Sequence, residues 1–438
     1  LKVLHVTQYC HAVSNWGTER FIVDLVRGLS DFGVDSAVVW LTDGGGAGEI
    51  LSEGIRVLPL PAPEMRVDAA VRGLREMADR LFATERPDWL HFHAFGLSEA
   101  VLAEAARARG IRCAFTYHSP AWTCRRETGL LFGHEPCDGE VRAWRCSACQ
   151  SEERLGGSKA LGYAAAAVSG ALGWAAMGMG ATVLRRRTAF FHDNRRYRAA
   201  LREFLGSCEF TVACAEWSVG VLEGNGAKAE TIVHAPQGLS VGFLANLESA
   251  GPATREAGSL CVGYVGRVTE VKGVHLLMEG FSRIADPSLR LRVVGWEGVV
   301  DGYTRRLAAL AETDPRISLI PKTDQAGVVR EYLRCDVIAI PSTWLETGPL
   351  TLFEGLAAGA RVLGSERLGQ ISLLRGHGRV VHPNTPEMWC RELEREAAAK
   401  LAQSGGRGEE PALSLSLRNT VDVSREMRNL YQLHDAKG

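Results

Sequence analysis

Two polar clusters follow directly after apolar, strand-like runs. After Leu260 to Val265 stands Gly266-Arg267-Val268-Thr269-Glu270-Val271-Lys272-Gly273. Two cations bracketed by glycines at a strand-to-helix turn suit a diphosphate. Glycine admits close backbone approach, a helix N-terminus adds partial positive charge, and Arg offers a planar fork where Lys offers a mobile point charge. Standing alone, the pair reads equally as a solvated surface feature. After Val337 to Ile340, the run Pro341 to Gly355 carries Glu346 and Glu354, with Gly348-Pro349 marking a turn that opens a helix. One carboxylate then lies in a loop above a sheet and the other about one turn into the helix. The free amides of the first turn, at Leu350 and Thr351, face a phosphate, and the carboxylates suit sugar and ribose hydroxyls as acceptors.

A third cluster is Cys124, Cys137, Cys146 and Cys149, spaced C-x12-C-x8-C-x2-C, four of the eleven cysteines of the chain. The terminal C-x2-C pair resembles half of a zinc knuckle, and four thiolates complete a tetrahedron that leaves no place for a catalytic water. A structural zinc is the reading adopted; an iron–sulfur cluster, disulfides and free thiols are the alternatives. The remaining seven cysteines are scattered singly in apolar surroundings and read as small buried hydrophobes.

These residues need elements to position them. With 438 residues the chain exceeds one ordinary core, and 46% hydrophobic with 23% charged residues excludes a disordered or fibrous protein. Strand-like runs at Lys2 to Val6, Asp35 to Leu41, Trp89 to Phe92 and Ile111 to Tyr117 alternate with helical periods, which predicts a parallel sheet wrapped by helices. A second such cycle begins at Leu260. The expected organisation is α/β, with two doubly wound Rossmann-like domains and a ligand cleft between them. The first spans 1–250 with an insertion at about 119–205, a linker spans 251–258, and the second domain spans 259–413. The segment 414–438 reads as a helix crossing back to the first domain. A formal net charge of −1 gives no global field for nucleic acid. Because strand character begins at Leu1 to Thr7, no leader is expected and a cytoplasmic protein is implied.

Within the insertion, Ala160 to Leu184 carries no charge and is followed by Arg185-Arg186-Arg187, with Arg195, Arg196, Arg198 and Arg202 beyond. Its length allows a membrane span, but its many Ala and Gly residues gain little from hydrocarbon. A surface-inserting helix or a buried helix pair is preferred, and the basic run suits anionic lipid at the inner face of a membrane or a lipid-diphosphate acceptor.

Taken in order, the motifs resemble glycosyltransferase family 4, retaining enzymes of the GT-B fold, especially exopolysaccharide members with cysteine-rich insertions. Gly17-Thr18-Glu19-Arg20 is similar to the family's G-G-x-E turn, with Trp16 for the first glycine. Tyr117-His118-Ser119 resembles its active-site histidine segment, and Ala235 to Leu239 its P-N-G stretch. Gly266 to Gly273 matches G-R-x-x-x-x-K-G, and Glu346 to Glu354 matches E-x7-E. Gly369-Gln370 stands where the family often has paired glycines. The resemblance implies a nucleoside diphosphate sugar as donor and a glycan or lipid-linked acceptor. Arg267 and Lys272 neutralise the departing diphosphate, Glu354 holds ribose, and Glu346 touches the donor sugar. Gly17 gives backbone access to a phosphate, and His118 sits beside sugar and acceptor. No catalytic metal is then needed. His91 and His93 read as structural. A GT-B epimerase and a catalytically silent scaffold with a zinc interaction module are the rival functions.

Overall fold

The computed structural model describes residues 1–10, 17–42, 48–62, 68–156, 158–178, 190–256, 258–404 and 417–435. Trp16, Arg185 to Arg187 and the end of the uncharged segment lie outside these. The chain divides into two compact units, Leu1–Pro236 with Val421–Gly438, and Gln237–Thr420.

The first unit contains β1 (Lys2–Thr7), α1 (Gly17–Asp31), β2 (Asp35–Thr42), β3 (Ile50–Ser52), β4 (Ile55–Pro61), α2 (Asp68–Glu85), β5 (Trp89–Phe92), α3 (Leu97–Arg107) and β6 (Arg112–Tyr117). An insertion follows, with the short hairpin β7 (Leu130–Leu131) and β8 (Glu135–Pro136) and the helices α4 (Ala143–Leu155), α5 (Lys159–Gly178) and α6 (Phe190–Ser207). β9 (Phe210–Ala213), α7 (Glu216–Gly224) and β10 (Ile232–His234) complete it. The sheet order is β10-β9-β6-β5-β1-β2-β4-β3, parallel except where β3 meets β4. Alternate residues of each central strand enter opposite cores. Leu4, Leu90 and Phe115 enter one, and Val3, Trp89 and Ala114 the other.

The second unit contains α8 (Val241–Ala250), β11 (Cys261–Val265), α9 (Val274–Ser282), β12 (Arg290–Trp296), α10 (Gly302–Thr313), β13 (Ile317–Pro321), α11 (Gln325–Arg334) and β14 (Val337–Ile340). It continues through α12 (Leu350–Ala357), β15 (Arg361–Ser365), β16 (Gly378–Val381) and α13 (Pro386–Ser404). Its parallel order β13-β12-β11-β14-β15-β16 is that of a doubly wound nucleotide-binding sheet. The order reverses between β11 and β14, so a crevice opens beyond their carboxyl ends. Both polar clusters of the second unit stand there.

The expected boundary at 250 differs from the contacts. α8 belongs with the second unit, where Asn246 Nδ2 donates to Gln325 Oε1 at 3.1 Å. Part of the supposed linker is likewise fastened to that unit. The Thr254 amide donates to the Leu333 carbonyl at 3.0 Å, and Arg255 to the carbonyls of Cys335 and Ala358 at 3.0 and 2.9 Å. At the carboxyl end, α14 (Thr420–Asp435) packs into the first unit from Val421 onward. Trp89 Nε1 donates to Asp435 at 3.1 Å.

In the insertion, α5 presses against α4. A Cβ at Gly162 would lie 2.5 Å from the Ala148 carbonyl oxygen. Ala166 and Ser169 are buried, whereas Leu161 and Val168 are exposed. This helix is therefore packed on one face and open on another. Among the described residues no helix is long and apolar enough to cross a membrane.

Candidate functional site

The site of the second unit is assembled from the ends of β11, β14 and β15. A tight turn at Glu270–Lys272 leads into α9 through Gly273, whose φ is +69°. A Cβ there would stand 2.0 Å from the Pro341 carbonyl oxygen, so glycine is required on both conformational and steric grounds. That close approach joins the two loops. The Thr343 amide donates to the Val271 carbonyl at 2.9 Å, and the Glu346 amide to the Arg367 carbonyl at 2.9 Å. Asn384 Nδ2 donates to the Pro341 and Ser342 carbonyls at 2.9 and 3.1 Å.

Within this frame Glu346 is the hub. Its Oε1 accepts from Lys272 Nζ at 2.6 Å, Ser342 Oγ at 2.6 Å and Trp344 Nε1 at 2.7 Å. Burial pushes the Glu346 carboxyl up, but the Lys272 charge and the hydrogen bonds outweigh it and hold the group below its ordinary range. Lys272 also lies 4.9 Å from the centre of the Trp344 ring. The two oppositely charged residues of separate motifs are thus paired. Arg267, in the same loop as Lys272, is exposed, and its carbonyl accepts from Tyr264 OH at 2.5 Å.

Gly348, with φ +146°, turns the chain into α12. A Cβ there would meet the Gln370 amide at 3.0 Å, and Gln370 Nε2 donates to the Thr347 carbonyl at 3.1 Å. Gln370 therefore closes the loop at a position where the sequence motif suggested glycine. α12 starts at Leu350 without a side-chain cap, leaving the first-turn amides suited to an anion. Thr351 Oγ1 donates to the Val265 carbonyl at 3.3 Å, tying this helix to β11. Glu354 is half-buried, with Oε2 accepting from Tyr332 OH at 2.7 Å. Burial pushes its carboxyl up to about 7 against the tyrosine hydrogen bond.

In the first unit Gly17 opens α1 with clear space where a Cβ would be, and Glu19 is buried two residues on. His118 follows β6 and is buried. It belongs to a layer with His91 and His93, the two histidines that the sequence reading left as structural. Alternation along β1, β5 and β6 puts His5, His91, His93 and His118 on one face, with His5 opposite His91 across the strand pair. His5 Nδ1 lies 3.0 Å from His93 Nε2, and His93 Nδ1 lies 3.0 Å from His118 Nε2. His91 contacts Tyr431 OH at 2.5 Å and Thr116 Oγ1 at 2.7 Å. Burial depresses all four rings, His5 and His118 to about 3. Strand alternation of His at 5, 91, 93 and 118 was the available sequence signal.

The four clustered cysteines line one cavity with Arg126 and Arg145. The Phe132 amide donates to Cys149 Sγ at 3.1 Å and the Arg142 amide to Cys146 Sγ at 3.4 Å. Among the described residues, the trio of potential ligand atoms lying within 4.8 Å of one another is His5, His91 and His93, so the thiols are gathered more loosely.

Together these features define a doubly wound α/β protein with a charged, amide-lined site at a sheet switch point. Residues 252–396 match the family described as Glycosyl transferases group 1, and residues 17–143 match Glycosyltransferase Family 4. Spore coat protein SA of Bacillus subtilis (strain 168) is 27% identical over 146 residues, covering 31% of this chain and 39% of that protein. Sucrose-phosphate synthase from Thermosynechococcus elongatus is similar over 100% of both chains, with TM-score 0.66 and 16% identity. Anabaena Alr3699/HepE, solved in complex with UDP and glucose, is similar over 98% of this chain and 99% of its own, with TM-score 0.63 and 13% identity. At such identities the structural likeness establishes the fold, which is GT-B. The chain belongs to the GT-B glycosyltransferases of the family 4 type.

Proposed function

We propose that the protein transfers a sugar, with retention of configuration, from a nucleoside diphosphate sugar to a glycan or lipid-linked acceptor, in glycan or exopolysaccharide assembly. The observation that carries this reading is the Lys272–Glu346 pair at the β11/β14 switch point, beside the uncapped start of α12. Glycosyl transfer builds negative charge on the leaving phosphate while the sugar becomes oxocarbenium-like. Lys272, Arg267 and the amides of Leu350 and Thr351 are assigned to that charge, where preorganised donors act as an oxyanion hole does. An arriving diphosphate recruits Lys272 from Glu346, and the carboxylate so released accepts sugar hydroxyls. Glu354 is assigned to ribose, Gly266, Gly348 and Gly17 to close backbone approach, and His118 to the acceptor side. UDP-glucose is the first donor to try, since the Anabaena structure was also solved with it.

The cysteine cavity is proposed to hold one structural zinc. Four sulfur donors and amide hydrogen bonds to two of them fit that metal, and binding it requires the thiols to draw inward. The exposed Arg195, Arg196 and Arg202 of α6 are proposed to meet anionic lipid or a lipid-diphosphate acceptor.

NMR of the product formed from an α-linked donor tests the reaction. An α-linked product is expected. A β-linked product contradicts retention, and release of free sugar with every acceptor contradicts transfer.

A further inference from the structure

The histidine layer of the first unit is not explained by donor binding. A metal is the first possibility to weigh, since three ligand atoms lie within 4.8 Å. Both nitrogens of His91 and His93 are, however, already engaged. His91 uses both on Tyr431 and Thr116, and His93 uses both on His5 and His118. The rings of His91 and His93 also stack at 4.5 Å with planes 16° apart, so their lone pairs do not converge on one point.

Deep burial keeps the imidazoles neutral. A neutral imidazole carries one N–H and one bare nitrogen, and each ring-to-ring contact needs one of each. The chain runs His5 Nδ1 to His93 Nε2, then His93 Nδ1 to His118 Nε2. Choosing the proton position on any ring therefore fixes the other two. Either all three rings are protonated on Nδ1, or all three on Nε2. The two patterns differ at both ends, His118 Nδ1 and His5 Nε2, and it is His5 Nε2 that is buried with no hydrogen-bond partner among the described residues. The second pattern buries an N–H there without an acceptor, whereas the first leaves a bare nitrogen. Orphaned buried N–H groups are the rarer and costlier of such states.

We propose that His5 and His93 are positioning residues that lock His118 as its Nδ1–H tautomer, with Nε2 accepting from His93. Because the chain ends at His5, it fixes a proton pattern and does not conduct protons onward. Phe21 packs edge-on against the His118 ring at 4.7 Å and sets its plane. The orienting contact thus comes from imidazole where a carboxylate or carbonyl commonly serves. Its importance for turnover rests on the acceptor-side assignment of His118; the tautomer itself does not.

The test is NMR of the full chain labelled with ¹⁵N-histidine. His5, His93 and His118 are each expected as Nδ1–H in the native protein. In His93→Leu, His118 should lose its single-tautomer signature. An Nε2–H form on any of the three in the native chain overturns the proposal, and that reading needs no variant. Persistence of pure Nδ1–H at His118 in a folded His93→Leu overturns it as well. In transfer assays His93→Leu should lower kcat on the order of tenfold with donor KM unchanged; unchanged kcat removes the positioning role. Absence of transfer by the native protein would count against the proposed function and leave the NMR result standing.

Discussion

At the scale of single residues, the site is governed by two buried or half-buried carboxylates whose surroundings drive them in opposite directions. Glu346 is held ionised by Lys272, Ser342 and Trp344, whereas Glu354 is raised to about 7 by burial. Ribose hydroxyls donate to a carboxylate better than to a neutral acid, so nucleotide affinity should rise with pH through about 7. Calorimetric titration of UDP between pH 6 and 8 checks this, and Glu354→Gln should flatten the dependence. The sign for folding is the reverse. A carboxyl with a raised folded-state pKa favours the native state below its unfolded value, and that advantage is lost as pH rises through about 7. Tyr332→Phe removes the hydrogen bond that lowers this pKa and should move the binding midpoint upward. Arg267→Ala should reduce kcat/KM on the order of 10²-fold, as loss of one preorganised donor commonly does.

At the scale of elements, the loops after β11 and β14 work as one piece because Gly273 lets them touch. Gly273→Ala should destabilise the second unit by about 1–3 kcal/mol, measured by urea unfolding, because it adds both left-handed strain and a clash with the Pro341 carbonyl. Around the cysteines the insertion has a small apolar cluster of its own, Phe132, Ala148, Cys149 and Ala166. Under the zinc proposal, elemental analysis should find about one zinc per chain, and Cys146→Ser with Cys149→Ser should lose metal and thermal stability together. Full stability of a metal-free protein, or iron with visible absorbance, contradicts it.

At the scale of the whole molecule, the parallel α/β rhythm was legible because buried parallel strands read as short apolar runs between helical periods. The positions of Arg267, Lys272, Glu346 and Glu354 beyond β11 and β14 were legible because each motif follows a short apolar run. Strand pairing was not, since register is set by long-range contacts. The boundary was misjudged because Gly and Pro in 251–258 look like a linker, while the contacts of Thr254 and Arg255 are invisible in sequence. Tyr332 was missed for a related reason, since a partner from another helix leaves no spacing signal; Ser342 and Trp344 stand in the same loop as Glu346, but their side-chain directions toward it are not encoded in spacing. The measurement that bears most directly on the account is titration of the native chain and Lys272→Ala with UDP, GDP and ADP. At least one nucleotide should bind the native chain, and its affinity should fall at least tenfold in the variant, consistent with loss of one charge-assisted contact. Failure of all three to bind the native chain, or equal affinity in the folded variant, would contradict a diphosphate site at the β11/β14 switch point.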